Sequence, residues 1–297
     1  MTPERTAVVV VNYGSHELLR ANLDTTLSEG FGIIIVDNFS SASERDAVRW
    51  LCAERGWHLV TQGNLGFGAG VNAGIAEARQ LGFRRYVMLN PDAVADAAAL
   101  TTLAEHAGAE PDALICPTIL TPSGEVWFSG GTVLVERGVT ITRGADSSAP
   151  GGWLTGACIA VHDSLWQRLG GFDDRYFLYW EDIDLSWRCT ESGGHLVVRD
   201  DVRIVHDAGG TQARGRAKSA TYYYYNCRNR LLFAARHLSQ RDVIRWALLT
   251  PAYARRVLLR GGRRQFLHRP WRPLWAAASG SLRGIRMLAT SREVRHS

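Results

Sequence analysis

No two of the five cysteines, Cys52, Cys116, Cys158, Cys189 and Cys227, stand in a C-x-x-C pair. This usage fits neither a disulfide framework nor a structural zinc site, and predicts a reducing, cytoplasmic setting. The opening MTPERTAVVVV has no apolar signal segment, and no run approaches the ~18 uncharged apolar residues of a membrane span. The expectation is a chain without an export address or a transmembrane helix. Acids are scarce in the tail: after residue 240 only Asp242 and Glu293 oppose thirteen arginines, so this stretch carries +11 while the first 240 residues carry −6. Such a tail suits anionic lipid, a diphosphate-bearing substrate or nucleic acid. No recognised nucleic-acid module accompanies it, so nucleic acid is not expected as a partner.

With 297 residues, 46% of them hydrophobic and 21% charged, the chain can bury one large core and carry an appendage. The first hundred residues alternate strand-like runs (TAVVVVNY, GIIIVDN, WHLVTQ, RRYVMLN) with helix-like ones, among them SHELLRANLDTTL, with Ser15 as a candidate N-cap, and SERDAVRWLCAERG, closed by Gly56. Alternation of this kind predicts an α/β, Rossmann-like architecture with a largely parallel central sheet flanked by helices. Ligands of such sheets gather at the carboxyl ends of the strands. The residues there are Asn12 and Tyr13, Asp37 and Asn38, Asn64 with its glycines, and Asn90, Pro91 and Asp92. Each Asp or Asn has a competing role as a helix cap or turn former.

In GNLGFGAGVNAG, Gly68, Gly70 and Ala73 match G-x-G-x-x-A, a dinucleotide fingerprint. The strand before it ends near Gln62, whereas the fingerprint needs its glycines in the tight turn itself. A broader role remains, in which the glycines let backbone approach a nucleotide or phosphate. In LNPDA, Pro91 stops the strand and presents Asp92 at its end. A hard divalent cation takes one or two carboxylates and fills its shell with phosphate and water, so Asp92 is a candidate metal ligand. The competing role is a turn acid before the helix DAAALTTLAEHAG, although Asp96 is the better-placed N-cap.

YFLYWEDIDLSWR sets Glu181, Asp182 and Asp184 behind a run of aromatic residues. DIDLSWRCTESGG reads as a helix ended by Gly193 and Gly194, with Glu181 and Asp182 in the first turn, where the helix terminus favours anions. Asp184 has Arg188 at i, i+4, which leaves Asp182 without a local partner. A carboxylate held among aromatics tends to a raised pKa and suits general-base work. Stabilisation of the helix terminus is the competing role for both Glu181 and Asp182.

The chain resembles the family 2 glycosyltransferases of the GT-A fold, in particular a rhamnosyltransferase-like branch. The resemblance covers about residues 5 to 235 and rests on VVVVNYG, IIIVDNFS, GNLGFGAGVNAGI, YVMLNPDA, TGACIAVHDSLWQRLGGFDDRYFLYWEDIDLSWR and HDAGGT in that order. It implies an inverting transferase that moves a sugar, plausibly L-rhamnose or another deoxyhexose, from a dTDP- or UDP-sugar to a hydroxyl of a glycan or polyprenyl-linked acceptor. It implies that Asn12 and Asp37 lie in the nucleotide pocket with the Asn64 to Asn72 loop, including Gly68, closing on base and ribose. Asn90 and Asp92 would face the donor diphosphate, Asp92 would bind Mg²⁺ or Mn²⁺ with His206 as a further ligand, and Asp182 would be the base. Asn90 stands where many relatives have the first acid of D-x-D.

Arg228, in the helix-like TYYYYNCRNRLLF, is a candidate contact to the diphosphate, and Trp153, Trp180 and Glu181 are candidate acceptor contacts. The expected organisation is a glycosyltransferase domain over 1–235, with a donor half to about 115 and an acceptor half beyond, followed by a basic helical tail over 236–297. The tail reads as amphipathic helices broken at Pro251 with Trp246, Trp271 and Trp275 interleaved, a composition suited to the inner face of a membrane or to packing on the domain or a second subunit. Two other functions stay open: a nicotinamide-dependent oxidoreductase built on the Gly68 loop, and a non-catalytic sugar-nucleotide or membrane adaptor.

Overall fold

The structure, a computed structural model, describes residues 4–23, 30–142, 146–207, 218–260, 262 and 271–294, the last six of these by backbone only. In chain order the elements are β1 (Thr6–Asn12), α1 (His16–Leu23), β2 (Phe31–Asp37), α2 (Ala42–Arg55), β3 (His58–Thr61), α3 (Phe67–Gln80), β4 (Arg85–Leu89), β5 (Ala93–Val94) and α4 (Ala97–Ala109). Then follow β6 (Ala113–Leu120), β7 (Val126–Phe128), β8 (Gly131–Leu134), β9 (Val139–Ile141), β10 (Gly152–Trp153), β11 (Cys158–His162), α5 (Asp163–Leu169), a 3₁₀ turn (Asp174–Tyr176), α6 (Glu181–Glu191) and β12 (His195–His206). The chain ends in α7 (Ala220–His237), α8 (Gln240–Leu248), α9 (Thr250–Arg260) and α10 (Trp271–Val294).

Every residue of β1 is buried, the pattern of a strand covered on both faces. β1 pairs parallel with β2 on one side and β4 on the other, and β3 extends the row beyond β2. The full order is β3-β2-β1-β4-β11-β6-β12-β5, with β7 on β6. The sheet is parallel through β4 and mixed beyond it, because β11 enters antiparallel between β4 and β6. β1 is thus the topological switch: the chain winds outward to β2 and β3, then returns to lay β4 on the opposite side. A crevice forms at the carboxyl ends of strands at such a point.

Local chemistry fixes the helix ends. The Ser41 hydroxyl accepts from Glu44 N–H to start α2, and Gly56, at φ 68°, closes it in the left-handed conformation. Asp96 caps α4 by accepting from Ala99 N–H at 2.7 Å, so the helix after LNPDA draws its cap from Asp96.

The fold divides into two compact units, the first taking 1–132, 142–177 and 181–214, the second 133–141, 178–180 and 215–297. The second begins ahead of the boundary expected near residue 235, because α7 packs with α8, α9 and α10. At the centre of this second unit Arg230 is fully buried. It donates to Gly138 O at 2.7 Å and Trp246 O at 3.0 Å, and its guanidinium lies 4.6 Å from the ring centroids of Trp246 and Tyr253. Burial lowers its pKa to about 10, so it stays charged at neutral pH, held by carbonyls and ring faces.

Candidate active site

The carboxyl ends of β1 and β2 lie side by side, with Asn12 opposite Asp37 in the register. Both are completely buried. Asn12 is engaged on both sides of its amide, donating to Glu44 Oε1 at 3.2 Å and accepting from Ser15 N–H at 3.1 Å. Asp37 takes an ion pair from Arg45 through Oδ2, and its Oδ1 is buried with no hydrogen-bond partner among the described residues. A buried, unused carboxylate oxygen costs free energy unless a ligand donor reaches it. Asp37 therefore fits the acceptor for an N–H of a nucleobase.

The loop between β3 and α3 is pinned from two sides. Asn38 donates to Gly66 O at 2.9 Å and accepts from Gln62 at 2.8 Å and from Leu65 N–H at 3.4 Å. Phe67 N–H donates to Phe177 O at 2.8 Å. Gly66 has φ 98°, and a methyl there would sit 2.2 Å from Phe177 O, so only glycine fits both the conformation and the contact. Asn64 Oδ1 accepts from Gly66 N–H at 3.3 Å. A Cβ at Gly68 would meet Phe172 at 2.8 Å, and Asn72 grips the same segment, exchanging bonds of 2.9 Å with Phe172 N–H and O and donating to Asp174 at 2.8 Å. The first helical N–H of α3 is thus committed to Phe177, and the glycine cluster meets side chains. This is not the open cradle that pyrophosphate needs in a dinucleotide turn.

The clamp against Phe177 leads directly to the acids. Phe177, Tyr179 and Trp180 have φ of 59°, 67° and 76°, and non-glycine residues held at positive φ store strain of about 1–3 kcal/mol each. α6 starts at once after this turn. Asp184 and Arg188 form the expected i, i+4 pair at 2.7 Å, and Tyr176 donates to Asp184 at 3.1 Å. Asp182 is half-buried. Its Oδ2 accepts from Gly156 N–H at 3.1 Å and its Oδ1 from Ile183 N–H at 2.9 Å. Burial raises its pKa to about 6, against the opposing pull of those N–H groups. Glu181, 6% exposed with Oε2 unpartnered among the described residues, is raised further, by burial first and then by the charge of Asp182.

Gly156 also ties the two halves of the site together. Its neighbour Ala157 accepts from Asn90 N–H at 3.0 Å, where β11 runs antiparallel to the end of β4. Asp92 follows two residues on, 6% exposed, and its Oδ1 lies 3.0 Å from His206 Nε2 at the end of β12. The register places His206 opposite Ala93, which accounts for the meeting. Asp92 and His206 bond to each other directly; as one carboxylate and one imidazole they could hold a divalent cation in place of that bond, leaving most positions of its shell for phosphate and water. Among the described residues no group of three or more His, Cys, Asp or Glu side chains is assembled for a metal.

With this geometry in hand, comparison with known proteins is decisive. The family model "Glycosyl transferase family 2" matches residues 7–159, just over half the chain. The chain belongs to glycosyl transferase family 2. This glycosyltransferase is 27% identical, over 81% of its length and 88% of the relative's, to the N-acetylglucosaminyl-diphospho-decaprenol L-rhamnosyltransferase of Mycobacterium tuberculosis. It is 24% identical, over 76% of its length and 74% of the relative's, to a low-salt glycan biosynthesis hexosyltransferase of Haloferax volcanii. Among solved structures, a mannosyltransferase from Pyrobaculum calidifontis in complex with GDP-Man and Mn²⁺ superposes with a TM-score of 0.56 at 17% identity, covering 95% of this chain and 88% of that one. GalNAc-T7 with UDP, GalNAc and Mn²⁺ gives 0.55 at 13% identity, over 77% of this chain and 51% of that one. These two likenesses establish the GT-A fold.

Trp153, Trp180 and Arg228 complete the candidate residues of the glycosyltransferase. Trp153 is half-buried at the end of a row of tilted and edge-on rings: its centroid is 5.0 Å from Phe128, Phe128 is 6.2 Å from Trp127, and Trp127 is 4.7 Å from His206. Trp180 belongs to the second unit, where it is 3% exposed among Phe233, Trp246 and Tyr253, a packing position. Arg228 belongs to the same unit, donating to Asn229 Oδ1 at 2.6 Å. Residues 208–217, with the end of HDAGGT, lie outside the described residues. Sequence reading missed the positioning groups Arg45 on Asp37 and Gly156 on Asp182, and, within the second unit, the fully buried Asn229, which donates to Leu178 O at 2.9 Å and Tyr179 O at 2.8 Å. Only Ser41-x-x-Glu44 carried a local signal, a capping box, and its Glu44 turns instead to His16 and Asn12.

Proposed function

We propose that this glycosyltransferase is an inverting enzyme that transfers L-rhamnose or another deoxyhexose from a nucleoside-diphosphate donor to a hydroxyl of a lipid-linked glycan. The observation that carries this is the bridge from Asp182 through Gly156 and Ala157 to Asn90, which sets an acid of raised pKa beside the strand end bearing Asp92. The mycobacterial relative, named for a decaprenol-linked substrate, supports the lipid-linked acceptor.

Asp37 would receive the base N–H through its unused oxygen, with the Asn38-pinned loop closing over base and ribose. Asp182 would take the acceptor's hydroxyl proton as the oxygen attacks the anomeric carbon. The new carbon–oxygen bond forms opposite the breaking bond to the phosphate oxygen, whose electron pair leaves with the nucleoside diphosphate, so the anomeric centre inverts. A divalent cation held by Asp92 and His206 would supply charge neutralisation on the diphosphate when bound. Trp153 would offer a ring face to the acceptor. Glu181, pushed well above the usual carboxylate range by burial and then by the charge of Asp182, would hold its proton more tightly than Asp182 and leave Asp182 as the base.

The deciding experiment is a screen of the purified protein against dTDP-, UDP- and GDP-sugars with Mg²⁺ or Mn²⁺, reading release of nucleoside diphosphate, with the Asp182→Asn variant in parallel. Release dependent on a single donor and lost in the variant supports the assignment. Release unchanged in the variant moves the base elsewhere.

A further inference from the structure

α10 is amphipathic in an unusual sense. Its inward face carries small residues: Pro273, Ala276, Ala277, Gly280, Ser281 and Gly284 are all buried. A Cβ at Gly280 would fall 2.2 Å from Tyr224 O, and one at Gly284 would fall 2.8 Å from Leu231 and 3.1 Å from Arg228 O. Small residues let α10 lie backbone-close on α7, and among the larger side chains Leu288 is buried with them, while five others take the opposite face. Those point outward. Trp271 and Trp275 are 79% and 75% exposed, and Leu274, Leu282 and Ile285 are exposed with them.

Helical geometry puts these five on one stripe. At about 100° per residue, Leu274, Ile285, Trp271, Leu282 and Trp275 fall within about 100° of arc, while Arg272 and Arg283 fall side by side along one edge. Both arginines are exposed. No acidic side chain is described on α10, and the segment after residue 240 carries +11. Single exposed apolar residues are ordinary, whereas a contiguous stripe of them marks a surface that something covers.

We infer that this stripe is a lipid-docking face that lays α10 flat on an anionic bilayer, tryptophans and leucines entering the headgroup boundary and Arg272 and Arg283 meeting the phosphates. Charge decides among occupants. A second copy would bring the same strongly positive segment against itself, whereas an anionic surface neutralises it. Trp sits favourably at the boundary between headgroups and chains, and no helix here is long and apolar enough to cross a membrane among the described residues. The inference deepens the lipid-linked acceptor assignment on which it rests, by giving the enzyme a way to wait on the surface that carries its substrate.

The test is co-sedimentation of the full chain with vesicles of phosphatidylcholine mixed with phosphatidylglycerol, against phosphatidylcholine alone. Binding is expected only to the anionic vesicles and to weaken with salt. The Trp271→Ala/Trp275→Ala double variant is expected to lose about tenfold or more in vesicle affinity, and Arg272→Glu/Arg283→Glu to lose it on anionic vesicles. Donor turnover with a soluble acceptor is expected to stay unchanged in both variants, so failure of docking and failure of the transferase assignment read out separately. Equal vesicle binding by wild type and the tryptophan variant would overturn the inference. So would a wild-type dimer in light scattering that the tryptophan variant converts to monomer.

Discussion

Asp182 accepts a hydrogen bond from Gly156 N–H at 3.1 Å, the contact that joins the first turn of α6 to the segment entering β11. The bond has two consequences. It fixes the direction of one carboxylate oxygen, and it stabilises the anion against a burial that drives its pKa to about 6. The group is therefore ionised at neutral pH yet a better base than an ordinary aspartate.

Turnover is expected to rise as pH climbs through about 6, following ionisation of Asp182. Stability runs the other way. Because the folded value lies above the ordinary 3.8, the folded chain holds this proton longer than the unfolded one, so the contribution is largest below the unfolded value and is lost as pH rises through about 6. Asp182→Asn should cost about 10²–10⁴-fold in kcat, remove the acidic limb of the pH profile, flatten the pH dependence of Tm over this window, and leave donor affinity nearly intact. Rate–pH profiles and thermal melts of both proteins check it.

His206→Ala and Asp92→Asn should each weaken Mn²⁺-dependent donor binding by about one to two orders of magnitude, the range seen even for partners of metal ligands. Metal-independent binding of the nucleoside alone should not change. Calorimetric titration with and without the metal measures both.

Asp37→Asn keeps the shape of the side chain but removes its charge toward Arg45 and turns one oxygen into a donor. If the unused Oδ1 receives a base N–H, nucleotide affinity should fall about tenfold or more, since a donor would then oppose a donor. Competition binding with UDP, dTDP and GDP reports the loss and, by its ranking, the base.

Gly66→Ala forces a methyl to within 2.2 Å of Phe177 O at φ 98°. A loss of about 1–3 kcal/mol of stability is expected, together with weaker donor binding as the loop shifts. Gly63→Ala, in the same loop but with no atom within 4 Å of the added carbon, is the control and should be near neutral. Denaturant melts and donor titrations separate the two.

The strand ends that carry the candidate donor residues were legible without coordinates. Buried strands such as TAVVVVN announce themselves by composition, and Asn12, Asp37, Asn64 and Asp92 follow strands whose carboxyl ends must line up once the strands pair in parallel. The caps at Gly56 and Asp96 and the Asp184–Arg188 pair were equally local. The mixed half of the sheet was not, because the direction in which β11 enters depends on pairing with β4 and β6 and leaves no periodic mark.

The sequence alone determined which residues could do chemistry: a short list of acids and amides at strand and helix ends, and a tail whose charge has one sign. Tertiary structure decided which of them meet and in what state. Asp182 and Asp92 are 90 positions apart in the chain, and only the antiparallel pairing of β11 with β4 brings their segments to one backbone bridge. Trp180 went to packing and Trp271 to solvent for the same reason. Burial and pKa belong to the surroundings a fold assembles around a side chain, and sequence order does not contain them.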